Sequence, residues 1–219
     1  MRLRITYSKS GTLRYIGHLD MHTIWERTCR RARIPLKYSQ GFHPQPKISI
    51  GCALPLGFVG KAELVEIQLD EELDVEFVKK KLQVAAPPGL SISSIEIVDQ
   101  GLPALQTLVD ASDYVVEFLD QVDAAEINKK VMKVWEADSI TRERKGKQYD
   151  LRALLLSLDT ETENGNPVIN MKLRTAPGAT GRPEEVLKEM GIRPEDTRIT
   201  RTALHLLTPE TSPIDLTAA

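Results

Sequence analysis

The chain has 219 residues, of which 41% are hydrophobic and 27% charged, a balance that leaves room for one large core or two small ones. No run approaches the roughly 20 apolar residues of a membrane span. Its two cysteines, Cys29 and Cys52, lack Cys-x-x-Cys spacing, which excludes a zinc or iron–sulfur site built from thiolates alone, and no cofactor is implied. The net charge of −2 hides an uneven distribution: residues 1–60 carry 10 Lys and Arg against 2 Asp and Glu, residues 61–140 carry 7 against 17, and residues 141–219 carry 12 of each. Such asymmetry concentrates positive potential on one part of the surface and points to an oriented anionic partner. The alternative is that the segments neutralise one another in the fold.

In chain order, Met1–Tyr7 is β-branched and aromatic and predicts a strand. It lacks the apolar run of a signal peptide, so a cytoplasmic location is expected. Ser8–Thr12 is turn chemistry. From His18 to Arg33, Met21, Ile24, Trp25, Thr28 and Ala32 recur at intervals of 3 and 4, the buried stripe of a helix that Pro35 stops. Strands are predicted at Lys47–Leu54, Ala62–Leu69 and Ser91–Val98, with a helix capped by Asp74 over Val75–Leu82. Residues 99–112 read as a linker.

The same order then returns: a strand at Tyr114–Leu119, a helix at Ala124–Trp135, and strands at Tyr149–Leu158 and Val168–Leu173 around the turn Asn164-Gly165-Asn166. A helix at Pro183–Met190 and a strand at Thr197–Leu207 complete it. The pattern predicts an α+β fold of two tandem ferredoxin-like (β-α-β-β-α-β) domains, residues 1–100 and 112–208, with a tail at 209–219.

Four groups of residues carry candidate chemistry. Arg27, Arg30, Arg31 and Arg33 crowd one helix, and guanidinium forks suit phosphate; the opposing reading is a solvated face paired with Glu26. Lys37-Tyr38-Ser39-Gln40-Gly41-Phe42-His43-Pro44-Gln45-Pro46-Lys47 interleaves flat rings with cations, as single-stranded nucleic acid requires. Alternatively its rings anchor the loop to the core. His18, Asp20 and His22 share a helix face and form a weak metal set, without the His-Glu-x-x-His order of a zinc enzyme. His18 and His43 have the ordinary pKa of an acid–base group. Finally, Thr175–Pro183, which has no Gly-Lys-Ser/Thr of a P-loop, is either a plain strand-to-helix connection or a helix N-terminus that, with Arg182, could receive an anion. The basic tract Ser139–Tyr149 either extends the positive surface or forms a mobile loop.

Gly17-His18-Leu19-Asp20, the helix from Glu26-Arg27 to Arg30-Arg31-Ala32, and Pro35 to Ile48 together resemble the radical SAM-linked protein family. That uncharacterised bacterial family is encoded beside, or fused to, a radical SAM protein with a cobalamin-binding-type domain. The match is densest over residues 3–70 and looser through Arg182–Leu187. The resemblance implies a radical SAM partner and no catalytic residue; without a Cys-x-x-x-Cys-x-x-Cys motif the chain would be the companion. The predicted element order is also similar to the repeat-associated RNA-processing endonucleases, although residues 176–183 lack their compact glycine cluster.

Three functions remain open at this stage. The first is an RNA-binding companion of a radical SAM modification enzyme, using Arg27, Arg30, Arg31, Lys37, Tyr38, Phe42, His43, Lys47 and Arg182. The second is a metal-independent RNA-processing or RNA-modifying enzyme using His18 or His43. The third is a protein–protein adaptor without nucleic acid.

Overall fold

β1 (Arg2–Lys9) sets the layering of the computed structural model, which describes residues 1–163 and 165–207. Successive strand side chains point to opposite faces, so Leu3, Ile5 and Tyr7 form one buried row while Arg4 and Thr6 face the other way. Against the apolar row packs α1 (His18–Ala32), which buries Met21, Trp25, Thr28, Cys29 and Ala32 at helical spacing. The fully buried Trp25 meets Tyr7 edge-on, with ring centroids 5.0 Å apart. Arg33 ends α1 in the left-handed region at φ 55°, a conformation that costs a non-glycine residue about 1–2 kcal/mol.

β2 (Ile48–Ile50), β3 (Val59–Gln68), α2 (Val75–Ala85) and β4 (Leu90–Ile97) complete the first half. The Asp74 carboxylate accepts the Phe77 N–H at 2.7 Å and caps α2, an interaction worth about 1 kcal/mol. The second half contains a short α3 (Leu105–Leu108), β5 (Val109–Phe118), α4 (Ala124–Trp135), β6 (Thr141–Arg144) and β7 (Lys147–Asp150). It ends with β8 (Leu155–Glu163), β9 (Asn166–Ala176), β10 (Ala179–Thr180), α5 (Pro183–Glu189) and β11 (Thr197–Leu206).

Nine strands share one mostly antiparallel sheet, ordered β10-β9-β5-β11-β3-β1-β4, with β2 on β3 and β8 on β9; β6 and β7 pair only with each other. Among the described residues one pairing is parallel, Thr200↔Val59 and Arg201↔Gly60, and it joins the halves. It is short because one edge of β3 is shared: β11 takes the start, and β2 takes Val65–Ile67. Two apolar cores lie against the sheet, one built with α1 and α2, the other with α4 and α5.

Between these cores the seam is charged. Arg201, 1% exposed, donates to the Glu63 carboxylate and to the carbonyls of Cys52 (3.0 Å) and Ala53 (3.3 Å). Burial alone would lower the Arg201 pKa, but Glu63 reverses this and holds the guanidinium well above its ordinary value. Gly60 makes room for the pair: a Cβ there would sit 2.5 Å from Glu63 Cγ. Lys9, also buried, donates to the Ile16 carbonyl at 2.7 Å; burial lowers its pKa.

Several expected boundaries move. The strand expected from Tyr114 begins at Val109, so Val109–Ser112 belong to β5, and Leu105–Leu108 form α3. The stretch before α3 is tied down, because Arg2 donates to the carbonyls of Leu102 and Pro103, each at 2.7 Å, while pairing with Glu66. Only Ile48–Ile50 of the strand expected at 47–54 remains in the sheet. Asn164 of the expected turn and the tail at 209–219 lie outside the described residues.

Candidate nucleic-acid interface

The loop from Lys37 to Lys47 is a clasped projection. The Lys37 N–H donates to Gln68 O and the Lys47 N–H to Lys37 O, both at 2.8 Å. Further out, the Ser39 N–H donates to Gln45 O at 2.8 Å, and the Gln45 N–H returns to Ser39 Oγ at 2.9 Å. Gly41 turns the tip at φ 130°, a region that side chains rarely enter. Tyr38 is half-buried against the first core and pairs with Pro46, so it anchors the loop. Phe42, by contrast, is 101% exposed, and His43 beside it is exposed.

The arginines of α1 divide. Arg30 pairs with Glu26 at 3.1 Å, whereas Arg27 and Arg31, one turn apart and both exposed, share a side of the helix. Arg31 and Arg33 line an open groove of about 890 Å³ between α1 and α2, facing Lys80 and Lys81. Its apolar lining includes Phe77, Val84 and Pro87, and among the described residues no carboxylate lines it. Lys47 is not part of this groove. It borders a hollow with Arg2 and Glu66, which lie on the sheet face away from the helices. The structure therefore separates Arg31 from Lys47 and does not gather the predicted cations into one patch.

The remaining candidates are placed as follows. His18, Asp20 and His22 lie at the start of α1, but among the described residues no three His, Cys, Asp or Glu side chains form a metal-holding group. Partial burial and the neighbouring His22 and Lys9 lower the His18 pKa, so its imidazole is neutral near pH 7. Arg182 is exposed, ahead of a helix that begins with Pro183, which has no N–H, and carries Glu184 and Glu185 in its first turn. Those carboxylates put negative charge beside the helix N-terminus, which disfavours a bound anion there. The basic tract 139–149 is the β6–β7 hairpin, and its arginines are neutralised: Arg144 pairs with Glu185 at 2.8 Å and Arg142 with Glu189.

Two features were not legible in the sequence. Lys80 and Lys81 sit in a segment whose net charge is strongly negative, and only folding sets them opposite Arg31. On the other sheet face, His205 Nε2 donates to Asp113 Oδ2 at 2.7 Å, beside two register shifts in β11. Such shifts re-aim side chains, and no local pattern links residues so far apart in sequence.

A family model described as "Uncharacterized protein conserved in bacteria (DUF2344)" matches residues 2–183. No curated protein matches the chain. Among solved structures, a chain of "Crystal Structure of a Cbf5-Nop10-Gar1 Complex" is similar, with 13% sequence identity and a TM-score of 0.48. The alignment covers 92% of this chain and 48% of that one, so this chain spans about half its length, and the likeness is too distant to bear on function.

Proposed function

We propose that this chain, which belongs to the DUF2344 family of uncharacterised conserved bacterial proteins, is an RNA-binding module that serves a radical SAM modification enzyme in the cytoplasm. The observation that carries the RNA reading is the clasped loop, which presents a fully exposed Phe42 and an exposed His43 between Lys37 and Lys47. Because the backbone is already braced, only the rotamers of the ring itself remain to be ordered when a base stacks on it. Stacking is worth about 1–3 kcal/mol per base, and flanking lysines follow the phosphates. Arg27 adds exposed positive charge on α1.

The radical SAM partner rests on the resemblance of residues 3–70 to the linked family. No helix among the described residues is long and apolar enough to cross a membrane. The architecture reads as two ferredoxin-like units sharing one sheet. Supporting this, the pairings run β4-β1-β3-β2 in the first half and β11-β5-β9-β8 in the second. Both follow the order fourth, first, third, second.

The test is fluorescence anisotropy with labelled single-stranded RNA at low and moderate salt. Affinity is expected to fall steeply with salt as counterions are released. Phe42→Ala should weaken binding about 5-fold to 100-fold, the loss of one stacked base. Tight binding that ignores both salt and Phe42→Ala would remove the reading.

A further inference from the structure

The groove between α1 and α2 is a second surface, and it lies apart from the loop tip that carries the RNA reading. We propose that it docks an acidic amphipathic helix of a partner protein. The inference goes beyond RNA binding and does not rest on it.

Three observations converge. The rim is cationic: Arg31 and Arg33 of the α1 end face Lys80 and Lys81 of α2, and no carboxylate among the described residues lines the groove. Between the cations the lining is apolar and open to solvent: Val84 is 90% exposed and Phe77 48% exposed, and Pro87 and Pro88 extend the surface. Finally, the groove runs beside α2, whose 11 residues extend about 16 Å at 1.5 Å per residue. That length accommodates about three turns of a docked helix, whose apolar anchors recur at i, i+3 or i+4, and i+7.

The alternative occupants fit less well. Nucleobases stack on aromatic or guanidinium planes, but this apolar lining is mainly aliphatic, and its one ring, Phe77, already carries the Lys81 ammonium at 5.5 Å from its centroid. A two-fold dimer through this patch would place four cations against the same four, which repel. A helix with leucines on one side and glutamates on its flanks satisfies apolar lining and rim together.

Two fluorescent helical peptides of designed sequence test the proposal against the full chain. One has leucines on one face and glutamates on the flanks; the other has lysines in place of the glutamates. The acidic peptide is expected to bind. Its affinity should drop at least about tenfold in Val84→Asp and in the double variant Lys80→Glu/Lys81→Glu, a 1.4 kcal/mol effect. Phe42→Ala should leave it unchanged, and the lysine peptide should not bind. All three altered α2 positions are exposed, so the variants should fold, and circular dichroism checks this.

The proposal is overturned if neither peptide binds, if both bind equally, or if the groove variants bind the acidic peptide like the wild type. It is also overturned if Val84→Asp abolishes RNA affinity, which would give the groove to nucleic acid. Sedimentation showing a dimer that Val84→Asp dissociates would give it to a second copy. Failure of the RNA reading alone would appear as salt-insensitive or absent RNA binding while the acidic peptide still bound.

Discussion

The first and second halves of this molecule each pack helices and an apolar core on one shared sheet, yet they hold their surface arginines differently. In the first half, Arg31, Arg33, Lys80 and Lys81 line a groove in which no carboxylate is found among the described residues. In the second, Arg142, Arg144, Arg174 and Arg193 are paired with Glu189, Glu185, Asp110 and Asp196. A basic tract is therefore no measure of a basic surface. The tract at 139–149 has four cations against the three of α1, but α5 supplies the acids that pair with two of them, Arg142 and Arg144. The first half does contain paired arginines, Arg2 and Arg4 on Glu66 within the sheet and Arg30 on Glu26 in α1. Arg31, Arg33, Lys80 and Lys81 form no ion pair among the described residues, and they stand on the helix layer, where a partner can reach them.

The largest expected effect tests whether the halves behave as one body. Replacing Arg201 with Met leaves the Glu63 carboxylate buried and uncompensated, which should cost about 3–5 kcal/mol. Chemical denaturation would show whether both halves then lose stability together. Separate transitions would mean that the two-residue β11–β3 pairing does not couple them.

A smaller effect targets the neutralised hairpin. Glu185 accepts from Arg144 at 2.8 Å and from the Tyr149 hydroxyl at 2.7 Å. Glu185→Gln should cost about 1–2 kcal/mol, since the hydrogen bonds to a charge weaken, and should add polyanion affinity through the freed Arg144. Heparin–agarose retention at low salt checks this. Retention unchanged from wild type would mean that carboxylate pairing is not what silences the second half.

The smallest effect concerns the two thiols. Burial, and then Glu26, push the Cys29 thiol up to about 12, whereas Cys52 is half-buried. Since the thiolate is the nucleophile, a thiol reagent at pH 8 should label Cys52 and spare Cys29 in the native chain. The linkage sign follows: Cys29 is an acid whose folded pKa is raised, so the unfolded chain releases its proton first. Its contribution is complete below about pH 9 and is lost as pH rises from there towards 12. Native labelling of both thiols at equal rates would show that the first core opens easily.

Much of the local structure was legible in the sequence because its causes are local. The α4 limits, Ala124–Trp135, coincide with the periodicity, and α1 stops before Pro35 as expected. The Asp74 cap formed as its position implied. β5 was read five residues too short at its start because Val109–Asp113 carry no boundary signal against the preceding loop, and sheet pairing with β9 and β11 drew them in. For the candidate site, the Pro- and Gly-bounded loop and its rings could be read from the sequence. Which ring is anchor and which is platform could not, since only packing against the first core separates Tyr38 from Phe42.

By itself, then, the sequence determined the mixed α+β element order, the basic helix, the aromatic loop and the acid-rich middle segment. All of these are properties of neighbouring residues. Tertiary structure alone decided which charges survive at the surface. It set Lys80 and Lys81 opposite Arg31, cancelled Arg142 and Arg144 with acids more than 40 positions away, and buried Arg201 against Glu63 across 138. The physical reason is that a charge acts through its surroundings in space: a partner at about 3 Å in a dry setting outweighs the composition of a whole segment.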